Sequence, residues 1–252
     1  MPGTSDPHIS VSGLAIGWDG APLLENLDFA IRRGEVFAIL GGSGCGKSTL
    51  LRHLIGLNAP IRGEILVDGA PPRLDGRAPE AGVLFQSGAL LGSMTLAEND
   101  ALPLETWTAL QPHEIDAVVR SKLRLVGLGG FENHTPDELS GGMKKRAGIA
   151  RALALEPELV YLDEPSAGLD PITSAELDEL LLTLNHGLGT TLVVVTHELP
   201  SIFSIAGRCI LLDRDAKGVI AEGDPRDLRD HSGDPRVSAF FNRKPTGGEA
   251  HL

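Results

Sequence analysis

The residues best suited to chemistry lie in a glycine-rich stretch, residues 41–49, with the spacing of a phosphate-binding loop. Glycines let the backbone curl so that successive N–H groups face one anion, and a helix that starts here adds a partial positive charge. Lys47 can reach the β- and γ-phosphates of a nucleotide, and the Ser48 hydroxyl can hold Mg²⁺. The stretch consists of Gly41, Gly42, Ser43, Gly44, Cys45, Gly46, Lys47, Ser48 and Thr49.

The segments on either side of this glycine loop can position it. An apolar run at residues 36–40 predicts a buried strand, and leucine and isoleucine recur at helical spacing over residues 50–57. A strand, a glycine loop and a helix form the arrangement that a phosphate-binding loop requires. A glycine-rich surface turn beside a lysine is the simpler interpretation, and the flanking segments disfavour it.

Two adjacent carboxylates, Asp163 and Glu164, follow another apolar run that predicts a strand at residues 158–162. Neighbouring carboxylates at a strand end are costly unless a cation or a proton transfer uses them. Asp163 suits a Mg²⁺ ion held through water, and Glu164 suits a base that activates water. Asp170 and Pro171 then predict the start of a helix, as its N-cap and first residue.

Three further side chains lie where ligands bind, although each also has an ordinary structural interpretation. Gln86 and His197 follow predicted strands at residues 81–85 and 191–196, and α/β proteins bind ligands at this end of a strand. Taken alone, either residue is more often structural. Trp18 could stack on adenine or cover the edge of a sheet, and the residues alone leave both possibilities open.

The strand pattern disappears over residues 95–151, which predict a helical insertion. Near its end, Ser140, Gly141 and Gly142 open a helix of small residues and could form a second anion-binding helix terminus. The alternative is a serine N-cap that binds no ligand.

Composition limits the class of protein. The 252 residues are 42% hydrophobic, enough for one large domain or a domain with a subdomain. A net charge of −12 argues against a dedicated nucleic-acid-binding protein. Two cysteines are too few for a disulfide framework, and we expect a cytosolic chain with neither a signal peptide nor a membrane span. Any membrane role is then peripheral.

The two cysteines are expected to differ in reactivity. Cys45 lies in the glycine loop near a predicted helix N-terminus, which favours the thiolate form. We therefore expect maleimide to modify Cys45 and bound nucleotide to protect it. Cys209 lies in a predicted strand and should react slowly.

Taken in order, these motifs resemble those of ABC transporter ATP-binding subunits over nearly the whole chain. The matching pieces are Trp18 (A-loop), residues 41–49 (Walker A), Gln86 (Q-loop), residues 139–143 (signature), 159–164 (Walker B), 166–170 (D-loop) and His197 (H-loop). Each of the later motifs is weak alone, and their order makes the resemblance specific. Met143 departs from the common signature, which has glutamine there.

The resemblance implies an α/β fold of the P-loop NTPase type, with a mixed sheet core, an antiparallel β subdomain and a helical subdomain. The ABC domain would span residues 8–242, the helical subdomain about 95–151, and a polar C-terminal tail residues 243–252. ATP and Mg²⁺ are the implied ligands, and ATP hydrolysis is the implied reaction. Two copies would form a head-to-tail homodimer with ATP sandwiched between them.

The resemblance also implies roles for single residues. Lys47, Glu164 and His197 would act in catalysis, with Glu164 positioning the attacking water. In the dimer, Ser140 and Gly142 of one subunit would meet the γ-phosphate held by Lys47 of the other. Nucleotide contacts are implied for Trp18, residues 41–49, Gln86, Ser140, Gly141, Gly142 and Asp170, and Mg²⁺ contacts for Ser48, Gln86 and Asp163.

Within this family the chain is similar to the Mla-type ATPases, which traffic phospholipids, at residues 82–90, 139–146, 163–171 and 234–241. This similarity implies a motor that moves phospholipids between membranes through a separate integral membrane permease. A substrate-binding protein of the Mce type would belong to the same complex, at the cytoplasmic face of the inner membrane. An importer or exporter of a small solute is the alternative. A soluble ABC ATPase acting on DNA or ribosomes is disfavoured by the acidic charge, so no nucleic-acid partner is expected.

A loop beside Gln86, residues 87–98, is predicted to contact the permease. Its apolar side chains would be unusual on a free surface but suit a protein contact. The alternative places them inside the helical insertion. They are Leu90, Leu91, Met94 and Leu96.

Overall fold

The computed structural model describes residues 7–18, 20–72 and 78–244, within which the chain divides into two compact units. Unit 1 comprises the described residues of Met1–Pro72 and Val195–Leu252, and unit 2 those of Arg73–Val194. The predicted polar tail lies outside the described residues from residue 245 onwards. In the part of the chain that is described, no helix is long and apolar enough to cross a membrane.

Unit 1 begins with strands β1 (Ile9–Trp18), β2 (Ala21–Ile31) and β3 (Val36–Gly41), helix α1 (Lys47–Leu54) and strand β4 (Arg62–Val67). Strands β2, β1 and β4, in that order, form an antiparallel sheet. Ile9 of β1 pairs with Ile31 on one side and with Val67 on the other. All three side chains are buried, which fixes the register of the predicted antiparallel subdomain.

Unit 2 carries the helical insertion. Its elements are β5 (Ala81–Leu84), α2 (Leu96–Trp107), α3 (Pro112–Leu125), a 3₁₀ turn (Pro136–Glu138), α4 (Gly141–Ala152), β6 (Leu159–Asp163), α5 (Pro171–Leu188) and most of β7 (Thr191–Val195). Strand β6 lies between β5 and β7, and β5 runs parallel to it with Leu84 opposite Leu162. Helices α2, α3 and α4 occupy the stretch that lacks a strand pattern, as predicted.

The chain then returns to unit 1 with α6 (Leu199–Ile205), β8 (Arg208–Asp213), β9 (Gly218–Gly223), α7 (Pro225–His231) and α8 (Pro235–Phe241). Strand β8 is parallel to β3 and antiparallel to β9, so the strands of unit 1 include the mixed pairing that was predicted. Val237 and Phe241 of α8 are buried in one apolar cluster with Leu199 of α6 and Leu211 of β8. The last two helices thus belong to the core of unit 1.

Candidate nucleotide-binding and catalytic site

The glycine loop of unit 1 joins the end of β3 to the start of α1. Gly41, Gly44 and Gly46 have φ angles of 151°, 73° and 103°, in the region that favours glycine. A Cβ added at Gly41 would lie 2.4 Å from Cys45 Sγ and 2.7 Å from the carbonyl oxygen of Leu212. The loop therefore requires glycine, and Gly46 offers α1 no capping side chain, which leaves its first N–H groups suited to an anion.

Lys47 begins α1, and its ammonium turns back over the glycine loop. Nζ donates to the carbonyl oxygens of Gly41 at 2.8 Å and of Gly42 at 3.1 Å. A positive charge is thus held beside backbone N–H groups, the combination that phosphate needs. Of the other loop residues, Ser43 and Ser48 are exposed, whereas Thr49 is buried.

Cys45 is buried in the glycine loop, with only 3% of its surface exposed. Burial raises the pKa of its thiol, and the nearby ammonium of Lys47 offsets only part of this rise. The predicted thiolate is therefore wrong, because desolvation outweighs the charge and the helix terminus. Cys209 is also buried, and burial raises the pKa of its thiol to about 12, in line with the slow reaction expected of it.

Trp18 and His197 also belong to unit 1. Trp18 ends β1 and is 53% exposed, so its ring is accessible for stacking. His197 follows β7, and the N–H of the preceding Thr196 donates to the carbonyl oxygen of Ile39 in β3. The end of β7 is thereby tied to the strand that leads into the glycine loop. The His197 side chain is 58% exposed, and its Nε2 lies 4.0 Å from Oε1 of Glu198.

In unit 2, β6 ends at Asp163, and Glu164 follows with a φ of 49°. Residues other than glycine seldom adopt this left-handed conformation, and such strain is characteristic of functional sites. Glu164 is only 7% exposed, whereas Asp163 is half-buried. The carbonyl oxygen of Glu164 accepts the N–H of Ala167 at 3.2 Å. A buried carboxylate on a constrained backbone suits a positioned base.

Lys145 of α4 bonds to the main chain at Glu164, and it is not among the site residues predicted from the sequence. The lysine is 6% exposed, and its Nζ donates to the carbonyl oxygens of Gln86 at 2.5 Å and of Glu164 at 3.0 Å. Burial lowers the pKa of Lys145, while the carboxylates of Asp163 and Glu164 act in the opposite direction. Lys145 shares a helix face with the buried Gly142, three residues earlier, and this spacing was the available signal.

Gln86 is exposed after β5, and the loop that follows it is held by side chains from α2 and α4. Arg151 of α4 donates to the carbonyl oxygens of Ala89 at 2.7 Å and Gly88 at 3.2 Å. Within the described ranges, the side chain of Asn99, which is fully buried in α2, bonds to main-chain atoms alone. Its partners are the N–H of Leu91 and the carbonyl oxygens of Leu91, Met94 and Thr95. The loop shape is therefore set through its backbone.

Asp100 follows Asn99 in α2 and is fully buried. Among the residues that the structure describes, neither of its carboxylate oxygens has a hydrogen-bond partner. Burial raises the pKa of Asp100 to about 8, and the guanidinium of Arg151 offsets part of this effect. The carboxyl group is therefore mostly protonated at neutral pH. This residue, too, was absent from the sequence predictions.

The predicted helix start at Ser140 is confirmed. Its Oγ accepts the N–H of Met143 at 3.3 Å, which makes Ser140 the N-cap of α4. Gly141 is exposed, whereas Gly142 faces α5, where an added Cβ would lie 2.4 Å from Cγ2 of Thr173. Glycine is therefore needed where α4 meets α5.

Asp170 is the N-cap of α5, as predicted. One carboxylate oxygen accepts the N–H groups of Ile172 at 3.0 Å and Thr173 at 3.1 Å, and the other accepts the Thr173 hydroxyl at 2.6 Å. These bonds hold the pKa of Asp170 below its usual value. The carboxylate is thus ionised and already engaged in capping.

The side chains assigned to Mg²⁺ fit this ion in their chemistry. Ser48 of unit 1 offers a hydroxyl oxygen, and Gln86 and Asp163 of unit 2 offer an amide and a carboxylate oxygen. Hard oxygen ligands of this kind are what Mg²⁺ prefers, usually together with substrate phosphates and water.

Helices α2 and α3 enclose a groove on unit 2 with a volume of about 590 Å³. Its apolar lining includes Met94, Ile115 and Val119, and carboxylates stand along it at Glu98, Glu105 and Asp116. The full lining consists of Met94, Ala97, Glu98, Ala101, Glu105, Thr108, Leu110, Pro112, Ile115, Asp116 and Val119. The groove combines an apolar surface with negative charge.

The four apolar residues of the predicted contact loop differ in how exposed they are. Leu91 is 48% exposed, Leu90 is half-buried, and Met94 lines the groove. Leu96 is fully buried as the first residue of α2, so its assignment to the contact surface is wrong. The helix begins at the Thr95 N-cap and turns Leu96 inward.

A family model described as ABC transporter matches residues 24–167. The MlaF protein of Escherichia coli K12, named as an intermembrane phospholipid transport system ATP-binding protein, is 43% identical over 227 residues, which covers 87% of this chain and 83% of MlaF. A Mycobacterium leprae protein named probable ribonucleotide transport ATP-binding protein mkl is 42% identical over 246 residues, 95% of this chain and 70% of that protein.

Solved structures show the same fold. The cbiO1 protein of Clostridium perfringens, part of the ABC transporter complex cbiONQ, matches with a TM-score of 0.79 and 28% identity, over 94% of this chain and 100% of that chain. A dimeric ATP-binding cassette in a post-hydrolysis state, bound to ADP and Pi, matches with a TM-score of 0.75 and 32% identity, over 86% and 98% of the two chains.

Proposed function

Because this chain belongs to the ABC transporter family and hydrolyses ATP to drive transport, we propose that it is the motor subunit for phospholipid movement between membranes. The observation that carries this proposal is the 43% identity to the Escherichia coli protein named for that process. The chain would be a peripheral subunit at the cytoplasmic face of the inner membrane, bound to a separate permease. A substrate-binding protein of the Mce type would complete the complex.

The chain binds ATP, and the glycine loop of unit 1 is the part that suits its phosphates. On binding, Lys47 exchanges its bonds to the Gly41 and Gly42 carbonyl oxygens for bonds to the β- and γ-phosphates. Until then, those carbonyls keep the ammonium at the loop. Trp18, which is exposed at the end of β1, stacks on adenine, and His197 contacts the γ-phosphate.

For hydrolysis, Glu164 orients the attacking water and accepts its proton as the water oxygen bonds to the γ-phosphorus. The bond from phosphorus to the β,γ-bridging oxygen breaks, and ADP leaves with that oxygen. Positioning and charge stabilisation carry most of this chemistry. Ser48 would offer an oxygen ligand to Mg²⁺, as would Gln86 and Asp163, and the ion would supply positive charge that offsets the charge on the phosphates.

A homodimer would complete the site. The N-terminus of α4 in one copy, with Ser140 and Gly142, meets the γ-phosphate held by Lys47 of the other copy. The dimeric cassette bound to ADP and Pi supports this arrangement. Ile172, next to the capping carboxylate of Asp170, is 74% exposed and offers apolar surface for the contact between copies.

The permease would bind at the groove between α2 and α3. The lining of this groove suits a short helix whose apolar side chains face its apolar wall and whose Lys or Arg residues meet Glu98, Glu105 and Asp116. Leu91 lies exposed in the loop that leads into α2 and offers further apolar surface for a contact.

The substrate is tested by reconstituting the complex, purified with its permease, into donor vesicles that carry fluorescent phospholipid. ATP-dependent transfer of the lipid to acceptor vesicles, absent with Glu164→Gln, is the expected result. ATP-dependent accumulation of ribonucleotide without lipid transfer would instead favour the function named for the mycobacterial relative. That outcome would overturn the lipid assignment and leave the ATPase intact.

A further inference from the structure

Lys145 of unit 2 is a buried ammonium that none of the proposed catalytic or binding roles uses. An ammonium group that is taken out of water is costly, and a methionine or leucine would fill the same space without that cost. Its Nζ donates to two main-chain carbonyl oxygens, those of Gln86 and Glu164. The lysine is therefore placed to fix backbone.

The two carbonyls lie at neighbouring points of the same sheet. Strands β5 and β6 pair in parallel, with Leu84 opposite Leu162, and Gln86 and Glu164 each follow two residues later. A single ammonium thus joins the ends of both strands. One of these ends carries Gln86, which is assigned to Mg²⁺, and the other carries Glu164, which is the assigned base.

The backbone of Glu164 needs such a restraint. Its φ of 49° is energetically unfavourable for a residue with a Cβ, so this conformation persists where the surroundings hold it. The bond from Lys145 to the Glu164 carbonyl oxygen fixes the peptide plane, and with it the direction of the carboxylate. Lys145 also lies five residues beyond Ser140 on α4, so the same helix carries the restraint and the assigned phosphate contact.

We propose that Lys145 is a positioning residue for ATP hydrolysis, which holds the peptides of Gln86 and Glu164 so that the Glu164 carboxylate is aimed at the attacking water. The proposal rests on the role of Glu164 given above. In this role Lys145 acts through the two peptides and not on ATP directly. Its removal therefore lowers kcat and leaves the KM for ATP nearly unchanged.

The test measures steady-state ATPase activity of the purified chain with the single variants Lys145→Met and Lys145→Arg. Because small misplacement of a reacting group can cost about 100-fold, we expect Lys145→Met to lower kcat by about 10- to 100-fold, with KM within about twofold. Lys145→Arg should recover most of the loss, since a guanidinium can also donate to two carbonyl oxygens. Unchanged kcat in Lys145→Met would overturn the proposal.

Two matched lysines control for general effects. Lys144→Met removes the neighbouring ammonium of α4, and Lys122→Met removes a buried ammonium of α3 that pairs with Glu156 at 2.9 Å. Both variants should keep wild-type kcat. If Lys122→Met lost as much kcat as Lys145→Met, the loss would follow from removing any buried lysine. That result would contradict a specific role for Lys145.

The double variant Lys145→Met/Glu164→Gln separates the inference from its premise. If Lys145 acts through Glu164, the second substitution adds little to the loss caused by Glu164→Gln alone. Losses that multiply would show that Lys145 acts independently and would overturn the proposal. Normal activity of the single Glu164→Gln variant would instead remove Glu164 as the base, whatever the result at Lys145.

Discussion

Asp100 predicts an unusual dependence of stability on pH. Its pKa lies at about 8 in the folded protein, against an ordinary value of 3.8. Between these values the folded chain keeps a proton that the unfolded chain has released. The contribution of this group to the free energy of unfolding is therefore complete below pH 3.8 and is lost progressively as the pH rises toward 8.

The substitution Asp100→Asn removes the titration while keeping size and polarity. For each pH unit between the two pKa values, the free energy of unfolding of the wild-type protein falls by about 1.4 kcal/mol, and that of the variant does not. From pH 5 to pH 7, the free energy of unfolding of Asp100→Asn should therefore rise by roughly 3 kcal/mol relative to the wild type. The comparison is between two pH values, so any fixed cost of burying an amide cancels.

Urea denaturation followed by circular dichroism at each pH measures this difference. Glu105→Gln, which removes an exposed carboxylate from the same helix, is the matched control and should follow the wild type. Parallel curves for Asp100→Asn and wild type would refute the reasoning, because Asp100 would then be ionised in the folded protein. Such a result would imply that Arg151 stabilises the carboxylate far more than its geometry indicates.

Three further outcomes are expected. Gly142→Ala should destabilise the chain by about 1–3 kcal/mol through the clash with Thr173, and Thr173→Ser, which removes only the methyl group, should recover much of that loss in thermal unfolding. Lys47→Ala should weaken ATP binding by about 2–3 kcal/mol, or roughly 30- to 150-fold in Kd, and near-normal affinity in a nucleotide titration would remove Lys47 from the site. Leu91→Glu should leave basal ATPase intact and weaken co-purification with the permease by about tenfold. Leu188→Glu, at a comparably exposed position, should leave co-purification unchanged. Equal binding of the permease by both variants would place the contact elsewhere on the chain.

The local patterns were predictable from the sequence because they depend on neighbours along the chain. The strand before Gly41, the helix starts at Ser140 and Asp170, and the helical insertion all follow from spacing and capping residues. Side-chain burial was harder to predict. From the sequence, Lys145 and Asp100 would be expected on the exposed faces of their helices. Charged residues normally mark the solvent face, so the burial of these two could not be predicted.

The two wrong predictions both concern side chains that the fold buries. For Cys45, the position near a helix terminus suggested a thiolate, but desolvation in the tight loop had the larger effect. For Leu96, the apolar type suggested a contact surface, but the Thr95 cap set the phase of α2 and turned the side chain inward. In both cases the burial of the side chain outweighed what its residue type or its position in the chain suggested.

The way in which Asn99 and Arg151 hold the loop after Gln86 has a consequence for engineering. Both side chains bond to main-chain atoms, so these restraints do not depend on which side chains the loop displays. Related ATPases could therefore carry different surface side chains on the same loop backbone and so bind different partners. A designer could therefore graft the surface residues of another family member, such as those around Leu91, onto this loop and redirect the motor to a different permease.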